Sequence, residues 1–542
     1  MSTSPDSAIV IGAGVGGLVA AVELAARGVA VTVVERAEAP GGKMRRVAIG
    51  DTALDGGPTV LTMRRVFDSV FEAAGARLGD HVTLEPAEVL ARHAWVDGGR
   101  LDLFADIDRT AEAIGTFAGP DEARRYRTFC ERSRRIYETL ERPFLDAARP
   151  SMAGLVADAA RRGPAGLANL FAISPFATLW GALGRDFRDP RLRQLYARYA
   201  TYCGSSPFAA PATLMLVAHV EREGVWRVAG GMHALARALA GLAETLGARL
   251  RYSAPVTRIR VEGGRARGVV LENGERLEAG AVVCNADVAA LSSGLLGDGA
   301  RRAVPRQSPA RRSLSAVVWT LKGRVDDFPL AHHNVFFCDT YRAEFDDIFR
   351  NARLPRAPTV YVCAQDRGEA TAVPDGSEER LYLLVNAPAT ADTRPPPESE
   401  IESCRDRALA LLDRCGARLS FDPAAAVTTG PAEFARLFPG TGGALYGRAT
   451  HGPIASFARP GSRSRIPGLY LAGGSAHPGP GVPMAALSGR AAAASLLADL
   501  ARAPARGSDR AAARRAPAPA STAPGSTSRS APAATPGGTS TR

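Results

Sequence analysis

The sequence predicts an α/β protein built around a Rossmann-like dinucleotide-binding domain, with an α+β domain interleaved between its segments. Three observations predict this fold: a strand, glycine turn, helix and strand near the start, a glycine- and proline-rich turn before a helix near the end, and strand-type segments in between. The chain has 542 residues, of which 46% are hydrophobic, so it is long enough for two or three lobes.

The first unit combines a strand, a helix and a second strand. "SAIVI" and "VAVTVVE" are strand-type runs, and the helix between them is predicted to end at Gly28. Gly12, Gly14 and Gly17 complete G-x-G-x-x-G, whose glycines permit the bend, the approach of a pyrophosphate and the packing of helix on strand. Glu35 ends the second strand, where a carboxylate can accept hydrogen bonds from both hydroxyls of an adenosine ribose. This unit predicts a bound dinucleotide.

Two further segments bear on which dinucleotide is bound. FAD and NAD both fit the first unit, but "RAEAPGGKMR", with a glycine pair before Lys43, returns to the phosphates and favours FAD. Residues 466–497 give a strand, a glycine- and proline-rich turn and a helix entered near Met484, which is a second helix amino end facing the nucleotide. Residues 247–287 alternate β-branched and polar residues around "GG" and "NG" turns and predict two hairpins that rejoin the sheet at "AVVCNAD".

The two ends of the chain resemble those of the FAD-containing amine oxidase and carotenoid desaturase superfamily. In that superfamily the C-terminal segment closes around the flavin, and the start of the strand meander touches its adenine, which places Val256 there. The motifs and the resemblance together predict these FAD-binding residues: Gly12, Ala13, Gly14, Gly16, Gly17, Glu35, Arg36, Gly42, Lys43, Gly57, Pro58, Thr59, Val256, Gly473, Gly474, Val482, Pro483 and Met484.

Four internal segments narrow the resemblance to one branch. Residues 55–68, 226–240, 443–460 and 477–485 resemble the bacterial carotenoid (phytoene) desaturases. "GGPTV" followed by "TMR", together with "LYGRATHG", is most similar to the 1-hydroxycarotenoid 3,4-desaturases, or hydroxyneurosporene and methoxyneurosporene dehydrogenases. The resemblance implies an FAD-dependent enzyme that introduces a C3–C4 double bond into a 1-hydroxy or 1-methoxy carotenoid, by hydride transfer to the flavin.

Other activities remain open on the same scaffold. They are phytoene desaturation, a carotenoid methyl oxidase, a retinol saturase and, in another class, a non-enzymatic prenyl-chain carrier similar to Rab-escort and GDP-dissociation-inhibitor proteins. An amine oxidase is a weaker match because residues 473–490 contain no Cys, Trp or Tyr to attach a flavin or cage an amine.

A carotenoid substrate makes the membrane an expected partner. Burial of each CH₂ is worth about 0.8 kcal/mol, so a C40 chain does not leave a bilayer for water and must be drawn directly from it. Residues 163–184 contain no charged residue but are interrupted by Pro164 and Pro175. This pattern predicts either helices lying in the membrane surface or a buried helical lobe. We expect a cytoplasmic protein held at the inner face of the membrane, with oxygen or a quinone as the electron acceptor.

Composition argues against several other classes. The formal charge of +12 comes almost entirely from scattered arginine, and residues 501–542, with seven Arg and one Asp, carry half of it. That Ala-, Pro- and Ser-rich tail is predicted to be disordered, and the absence of clustered basic residues argues against nucleic-acid binding. The seven cysteines form no CxxC pair and are expected to be free thiols, and no secretory signal is recognised.

The sequence does not identify the catalytic residues. Asp55 and Arg64 fall where the resemblance places the flavin and the tunnel, yet Asp55 also suits the cap of a turn and Arg64 a phosphate contact. His451 and His477 suit either a hydrogen bond to a substrate hydroxyl or a structural role. The pair at 332–333 has no third ligand of suitable spacing, so we expect a solvated turn and no metal.

The predicted domains are discontinuous. The FAD domain is assigned to residues 1–95, 228–300 and 456–500, and the substrate- and membrane-facing domain to residues 96–227 and 301–455. In the second domain, "SLSAVVWTLKG" and "LYLLVNAP" are predicted strands, and residues 105–200 are predicted to be helical.

Overall fold

A computed structural model of the chain describes residues 7–147, 149–172, 176–368, 373–374 and 376–502. Two units are distinguished, Met1–Ala498 and Asp499–Arg542. Of the second unit, the structure describes only the residues up to Arg502, where a helix ends. The predicted disordered tail, 501–542, therefore lies outside the described residues from position 503 onward.

The strands are β1 (Ser7–Ile11), β2 (Ala30–Val34), β3 (Arg46–Ile49), β4 (Thr52–Asp55), β5 (Leu84–Pro86), β6 (Val89–Trp95), β7 (Arg100–Phe104), β8 (Trp226–Val228), β9 (Arg249–Arg251), β10 (Val256–Glu262), β11 (Arg265–Leu271), β12 (Arg276–Glu278), β13 (Ala281–Cys284), β14 (Ser315–Asp326), β15 (His333–Phe337), β16 (Val360–Ala364), β17 (Glu379–Ala387), β18 (Arg418–Thr429) and β19 (Leu469–Leu471).

The α-helices are α1 (Val15–Ala25), α2 (Arg64–Ala73), α3 (Ile107–Ala118), α4 (Pro120–Leu140), α5 (Met152–Arg161), α6 (Gly163–Ala172), α7 (Leu179–Asp186), α8 (Pro190–Ala197), α9 (Tyr199–Tyr202), α10 (Leu216–Arg222), α11 (Met232–Thr245), α12 (Val288–Ser293), α13 (Tyr341–Phe349), α14 (Glu398–Arg414), α15 (Pro431–Leu437) and α16 (Val482–Arg502). A π-helical turn follows α4 at Glu141–Leu145.

A parallel five-stranded sheet, ordered β19-β13-β1-β2-β9, forms the nucleotide half of the fold. The predicted strand–helix–strand unit is present as β1, α1 and β2, and β13 pairs with β1 where "AVVC" was expected to rejoin the sheet. Since β1, β13 and β19 are parallel, the turns that follow them meet at one edge, and ligands of such sheets bind at that edge.

The first helix is enclosed on every side rather than on one face. Its residues Val15 to Leu24 are all buried, and even Glu23 is buried. The Glu23 carboxylate is paired with Arg490 of α16 at 2.9 Å, which compensates for its burial. The two helices whose amino ends were predicted to face the nucleotide are therefore linked directly.

The predicted meander is confirmed. Strands β10, β11 and β12 form an antiparallel sheet whose turns fall at the expected "GG" and "NG" positions. Val256, the predicted adenine contact, begins β10.

The second half of the fold contains a seven-stranded sheet, ordered β18-β14-β17-β16-β15-β6-β7. All its pairs are antiparallel except β15 with β6. Strand β6 ends at Trp95, so a segment that the predicted boundary assigns to the FAD domain pairs with the second sheet instead. Along β17, residues 381, 383 and 385 pack in a core with α14, and the alternate residues 382, 384 and 386 lie on the opposite face.

The described residues between 105 and 202 are mostly helical, as predicted for 105–200, and contain α3 to α9. The stretch 163–184 contains α6 and part of α7, and residues 173–175 between them lie outside the description. Within the described residues, no helix combines the length and apolar character needed to span a bilayer. The membrane-surface assignment of this stretch remains a prediction.

Candidate cofactor and substrate site

One large cavity connects the edge of the parallel sheet with the second half of the fold. Its volume is about 1510 Å³, larger than the roughly 300–1,000 Å³ of most single-ligand pockets. Its wall includes the glycine turns after β1 and β19, the free face of the seven-stranded sheet, and residues of α5, α6 and α10. The space is therefore sufficient for more than one small ligand.

The β1–α1 turn is fixed by a buried carboxylate. Glu35, which is 7% exposed, accepts the backbone N–H of Ala13 at 2.7 Å and that of Ala37 at 2.8 Å. One side chain thus connects the glycine turn with the chain that leaves β2. Each carboxylate oxygen can accept more than one hydrogen bond, so the predicted ribose contact remains compatible with these bonds.

Three glycines of this turn, at positions 14, 16 and 17, are crowded by neighbouring atoms. A Cβ on Gly14 would lie 2.9 Å from Asn285 Nδ2, and one on Gly16 would lie 2.7 Å from Asn285 Oδ1. A Cβ on Gly17 would overlap the Gly12 carbonyl oxygen. Gly17 therefore serves the packing of helix on strand, and Asn285, at the end of β13, is the neighbour that the motif alone does not reveal.

The second helix amino end lies in the same wall. Val482, Pro483 and Met484, in the first turn of α16, line the cavity together with Gly473 and Gly474. The first backbone N–H groups of a helix lack intrahelical partners and favour anions. Two such helix ends, α1 and α16, therefore border one cavity.

Nearly all of the predicted cofactor residues are brought together here. The cavity wall contains Gly12, Gly14, Gly16, Glu35, Arg36, Gly42, Lys43, Gly57, Pro58, Thr59, Val256, Gly473, Gly474, Val482, Pro483 and Met484. The other two, Ala13 and Gly17, are buried just behind it. Their individual contacts with a cofactor remain predictions.

Two cations lie at this end of the cavity, of which Arg459 is buried and Lys43 is partly buried. Lys43 donates to the carbonyl of Leu445 and lies 5.1 Å from the centre of the Phe438 ring, and burial lowers its pKa. Arg459 donates to the carbonyls of Tyr446, Gly474 and Arg448, and burial lowers its pKa to about 10. The sequence did not single out Arg459, because nothing distinguishes it from the many other arginines until the fold surrounds it.

A short hydrogen-bond chain crosses from the Gly57–Thr59 segment to the seven-stranded sheet. The Thr59 hydroxyl lies 2.7 Å from the Tyr361 hydroxyl, which lies 2.7 Å from His333 Nδ1. Thr59 and Tyr361 line the cavity. This chain was not expected from the sequence, since residues 59, 333 and 361 belong to three separate segments.

The helical layer adds two charged residues and a tyrosine to a largely apolar part of the wall. Arg198 follows α8, Tyr202 ends α9 and Glu221 lies on α10, and all three line the cavity. Burial raises the pKa of Glu221 to about 7. No motif marks these residues in the sequence.

The histidines considered for the site have structural contacts. His477 Nε2 lies 2.7 Å from the Phe144 carbonyl oxygen, and His451 Nε2 accepts the backbone N–H of Ser206 at 3.0 Å. Burial lowers the pKa of each to about 4, and neither is among the residues lining the cavity. These contacts favour a structural role for both histidines.

Asp55 and Arg64 also lie outside the lining residues. Asp55 accepts the backbone N–H of Met232 and, at 3.4 Å, that of His233, so it caps α11 from a distant strand. Arg64 lies 4.9 Å from the centre of the Trp226 ring and pairs with Asp68 at 3.3 Å. These contacts account for both residues without a role at the cavity.

The expectation of a solvated turn at residues 332–333 is wrong. His333 is 3% exposed and begins β15, where it pairs directly with Cys363 of β16. The ligand atoms of His332, His333 and Cys363 lie within 4.8 Å of one another, so the sheet supplies the third potential metal ligand that sequence spacing did not reveal. Within the described residues, no other His, Cys, Asp or Glu joins this group.

Part of the cavity wall is apolar and reaches the surface. The lining residues Met152, Val156, Phe176 and Ile454 are 43%, 46%, 84% and 64% exposed. Large apolar side chains exposed together commonly mark a binding surface. We call these four residues the apolar rim.

Comparison with known proteins supports a flavin site. The family model described as flavin-containing amine oxidoreductase matches residues 15–497. The chain is 55% identical over 473 residues to a hydroxyneurosporene desaturase of Rubrivivax gelatinosus, covering 87% of this chain and 89% of that protein. It is 48% identical to a hydroxyneurosporene desaturase of Cereibacter sphaeroides, covering 87% and 93% of the two chains. An oxidoreductase structure from Methanosarcina mazei shares the fold, with a TM-score of 0.57, 17% identity and coverage of 89% of this chain and 99% of that one.

Proposed function

Because the chain belongs to the family of flavin-containing amine oxidoreductases and, within it, to the carotenoid desaturases, we propose that it uses FAD to introduce a C3–C4 double bond into a 1-hydroxy or 1-methoxy carotenoid. The observation that carries the proposal is the continuity of the cavity, which extends from the two glycine turns to the apolar rim. A cofactor held at one end and a long apolar molecule entering at the other would share one enclosed space.

The residues present fit an FAD molecule. A side chain at Gly16 would collide with the backbone of Gly473, and one at Gly14 would displace the Asn285 amide, so glycine keeps this turn open to a close ligand. Two helix amino ends and the cations Lys43 and Arg459 border the same cavity, where a pyrophosphate would bind. The residues that would hold it are the β1–α1 turn, Glu35, the Gly57–Thr59 segment and the first turn of α16. When bound, the flavin supplies the two-electron acceptor that oxidation of a C–C bond requires.

The protein's own contribution would be alignment and the exclusion of water. The free face of the seven-stranded sheet presents Tyr361, Tyr382 and Leu384 to the cavity opposite residues of the helical layer such as Leu214 and Val217. Walls of this kind restrict a conjugated chain to lie along the cavity, so that one C–C bond is held beside the cofactor.

The apolar rim supports extraction of the substrate from a bilayer. A long-chain carotenoid is stable in the membrane and not in water, so the entrance must contact lipid. Phe176 and Ile454, the most exposed of the four rim residues, suit insertion into the headgroup boundary. The proposal is therefore a peripheral enzyme at the cytoplasmic face of the membrane, passing its electrons to oxygen or to a quinone.

The other activities considered are not favoured. The relatives of high identity bear the name hydroxyneurosporene desaturase, which argues against phytoene desaturation, methyl oxidation, a retinol saturase and a prenyl-chain carrier. A carrier also has no need for the second glycine turn and helix end that line the cavity here.

The test is conversion in liposomes that contain either hydroxyneurosporene or phytoene. The protein is first loaded with FAD, and its yellow absorbance is recorded. We expect a red shift of the carotenoid spectrum with hydroxyneurosporene, in air or with an added quinone under nitrogen, and a product two hydrogens lighter. Conversion of phytoene alone would contradict the proposed substrate, and protein that is folded but cannot bind flavin would contradict the proposed activity altogether.

A further inference from the structure

A charged group interrupts the apolar wall that the helical layer gives to the cavity. Among the lining residues between Met152 and Glu221, only Arg198 and Glu221 are charged, and their neighbours include Leu214, Val217 and Val220. Burying charge beside such residues is costly unless the charge has partners. The presence of both charged residues in this wall therefore calls for a functional explanation.

Glu221 is held by one phenol and lies near a second. It is 9% exposed and accepts the Tyr199 hydroxyl at 2.5 Å. Burial raises the pKa of the carboxyl group overall, although the Tyr202 hydroxyl is close enough to lower that pKa. Tyr199 is not among the lining residues, whereas Tyr202 lines the cavity and is 36% exposed. The carboxyl group is thus oriented from behind by Tyr199 and reaches the cavity beside Tyr202.

One hydrogen-bond donor of Arg198 has no partner within the described residues. Arg198 is 8% exposed, and the unpartnered donor is its Nε–H, although the side chain interacts with Tyr202 and stacks over Tyr361, 5.6 Å from the ring centre. A buried donor left unpaired typically costs about 1–3 kcal/mol. The Nε atom itself has almost no accessible surface, so a ligand in the cavity would contact Arg198 through the terminal NH₂ groups of the guanidinium.

The group lies beside the segment expected to contact the flavin. The Tyr361 ring under Arg198 carries the hydroxyl that bonds to Thr59, at the end of the Gly57–Thr59 segment. In a 1-hydroxy carotenoid, the carbon that bears the hydroxyl is two C–C bonds from C3, so a hydroxyl site must adjoin the place where the C3–C4 bond is oxidised. The position of Arg198, Tyr202 and Glu221 meets that requirement.

We infer that Arg198, Tyr202 and Glu221 form the binding site for the tertiary hydroxyl of the substrate and determine the preference for hydroxylated over hydrocarbon chain ends. This inference rests on the proposed function. An alcohol both donates and accepts: its O–H donates to the Glu221 carboxyl group, and its oxygen accepts a terminal N–H of the Arg198 guanidinium. A hydrocarbon end would leave these polar groups without a hydrogen-bond partner. Sites built to bind a hydroxyl therefore discriminate by large factors in kcat/KM against analogues that lack it.

The test compares hydroxyneurosporene with its hydrocarbon parent, neurosporene, in FAD-loaded enzyme on liposomes. We expect wild type to prefer the hydroxylated substrate by about 100-fold or more in kcat/KM. Glu221→Gln and Tyr202→Phe should lower that preference about tenfold or more, mainly by raising KM for the hydroxylated substrate. Tyr202→Phe is the milder change and keeps the test valid if Glu221→Gln folds poorly. Arg222→Gln, on the same helix but outside the lining residues, should leave the preference unchanged.

The outcomes separate the two proposals. If wild type converts neither substrate although its flavin is bound, the proposed function fails, and this inference fails with it. If wild type converts hydroxyneurosporene while Glu221→Gln and Tyr202→Phe keep its preference, only the inference fails. If Glu221→Gln loses activity equally on both substrates at unchanged KM, the hydroxyl site is overturned, and Glu221 acts instead on the reacting proton.

Discussion

The Tyr361 hydroxyl lies 2.7 Å from the Thr59 hydroxyl, which connects the seven-stranded sheet with the Gly57–Thr59 segment across the cavity wall. The same phenol lies 2.7 Å from His333 Nδ1. A single tyrosine thus fixes the relative position of the predicted flavin-contact segment and the wall of the predicted substrate tunnel.

Tyr361→Phe should therefore destabilise the protein and weaken the contact between the Gly57–Thr59 segment and the seven-stranded sheet. The change leaves both the Thr59 hydroxyl and His333 Nδ1 without their common partner, which we expect to cost about 1–3 kcal/mol in the free energy of unfolding. Urea unfolding of the flavin-loaded proteins measures this change in the free energy of unfolding. Tyr382→Phe is the matched control, because Tyr382 lines the same wall beside the Tyr361 ring but does not take part in the hydrogen bonds to Thr59 and His333. Equal losses in the two variants would count against the role of the Thr59 contact.

Gly14→Val should abolish flavin binding. A Cβ at this position would lie 2.9 Å from Asn285 Nδ2, and the added methyl groups would occupy the space that the turn leaves open to a ligand. The yellow absorbance of the purified protein should disappear, and circular dichroism reports whether the fold persists. Gly241→Ala, on a helix where an added Cβ meets nothing within 4 Å, should keep the full flavin content. Full flavin occupancy in Gly14→Val would refute the assignment of this turn.

Glu35→Gln should weaken flavin binding and stability together. An amide has only one acceptor oxygen for the two N–H groups, of Ala13 and Ala37, that the carboxylate now accepts. The loss of one such bond costs about 1–3 kcal/mol, and a bond to a ribose hydroxyl would weaken as well. Titration of the apoprotein with FAD and urea unfolding provide the two measurements. Glu72→Gln, an exposed change on α2, is the control, and equal FAD affinities in the two variants would be inconsistent with the expected role.

The pKa of Glu221 predicts a pH dependence of stability. Burial raises this pKa from 4.5 to about 7, so between these values the folded protein keeps a proton that the unfolded chain has lost. Stability contributed by this group is full below pH 4.5 and is lost as the pH rises to about 7. Relative to Glu221→Gln, the free energy of unfolding of the wild type should fall by up to about 3 kcal/mol between pH 4.5 and pH 8. The slope should be roughly 1.4 kcal/mol per pH unit between the two pKa values. Urea unfolding of both proteins at the two pH values checks this, and a constant difference would contradict it.

Phe176→Ser should weaken binding to lipid vesicles. Phe176 is 84% exposed on the apolar rim, and burying a Phe side chain is worth roughly 1.5–3 kcal/mol, which corresponds to about tenfold or more in the partition coefficient. Co-sedimentation with lipid vesicles measures this partition coefficient. Ile107→Ser removes an apolar side chain that is 38% exposed and outside the cavity lining, and should bind like wild type. Equal loss in both variants would show that the rim is not the contact surface.

Much of the cofactor half could be predicted because its signals are local. The β1–α1–β2 unit and the two hairpins are each encoded within short windows of alternating residues and glycine turns, and each is present in the structure. No local sequence pattern marks the residues that form the substrate wall. Arg198, Glu221 and Tyr361 come from segments with ordinary composition, and His332 and His333 acquire Cys363 as a neighbour only when β15 pairs with β16.

The sequence by itself determined the fold class, the glycine turns and the acidic end of β2, because backbone conformation and the spacing of apolar residues are properties of neighbours along the chain. Only the tertiary structure decided that Arg198, Tyr202 and Glu221 share a cavity wall, and that Asp55 caps α11 from a distant strand. It also decided that His451 and His477 hydrogen-bond backbone groups and do not line the cavity. Burial and hydrogen bonding depend on which distant segments pack together, and sequence spacing carries no record of that packing.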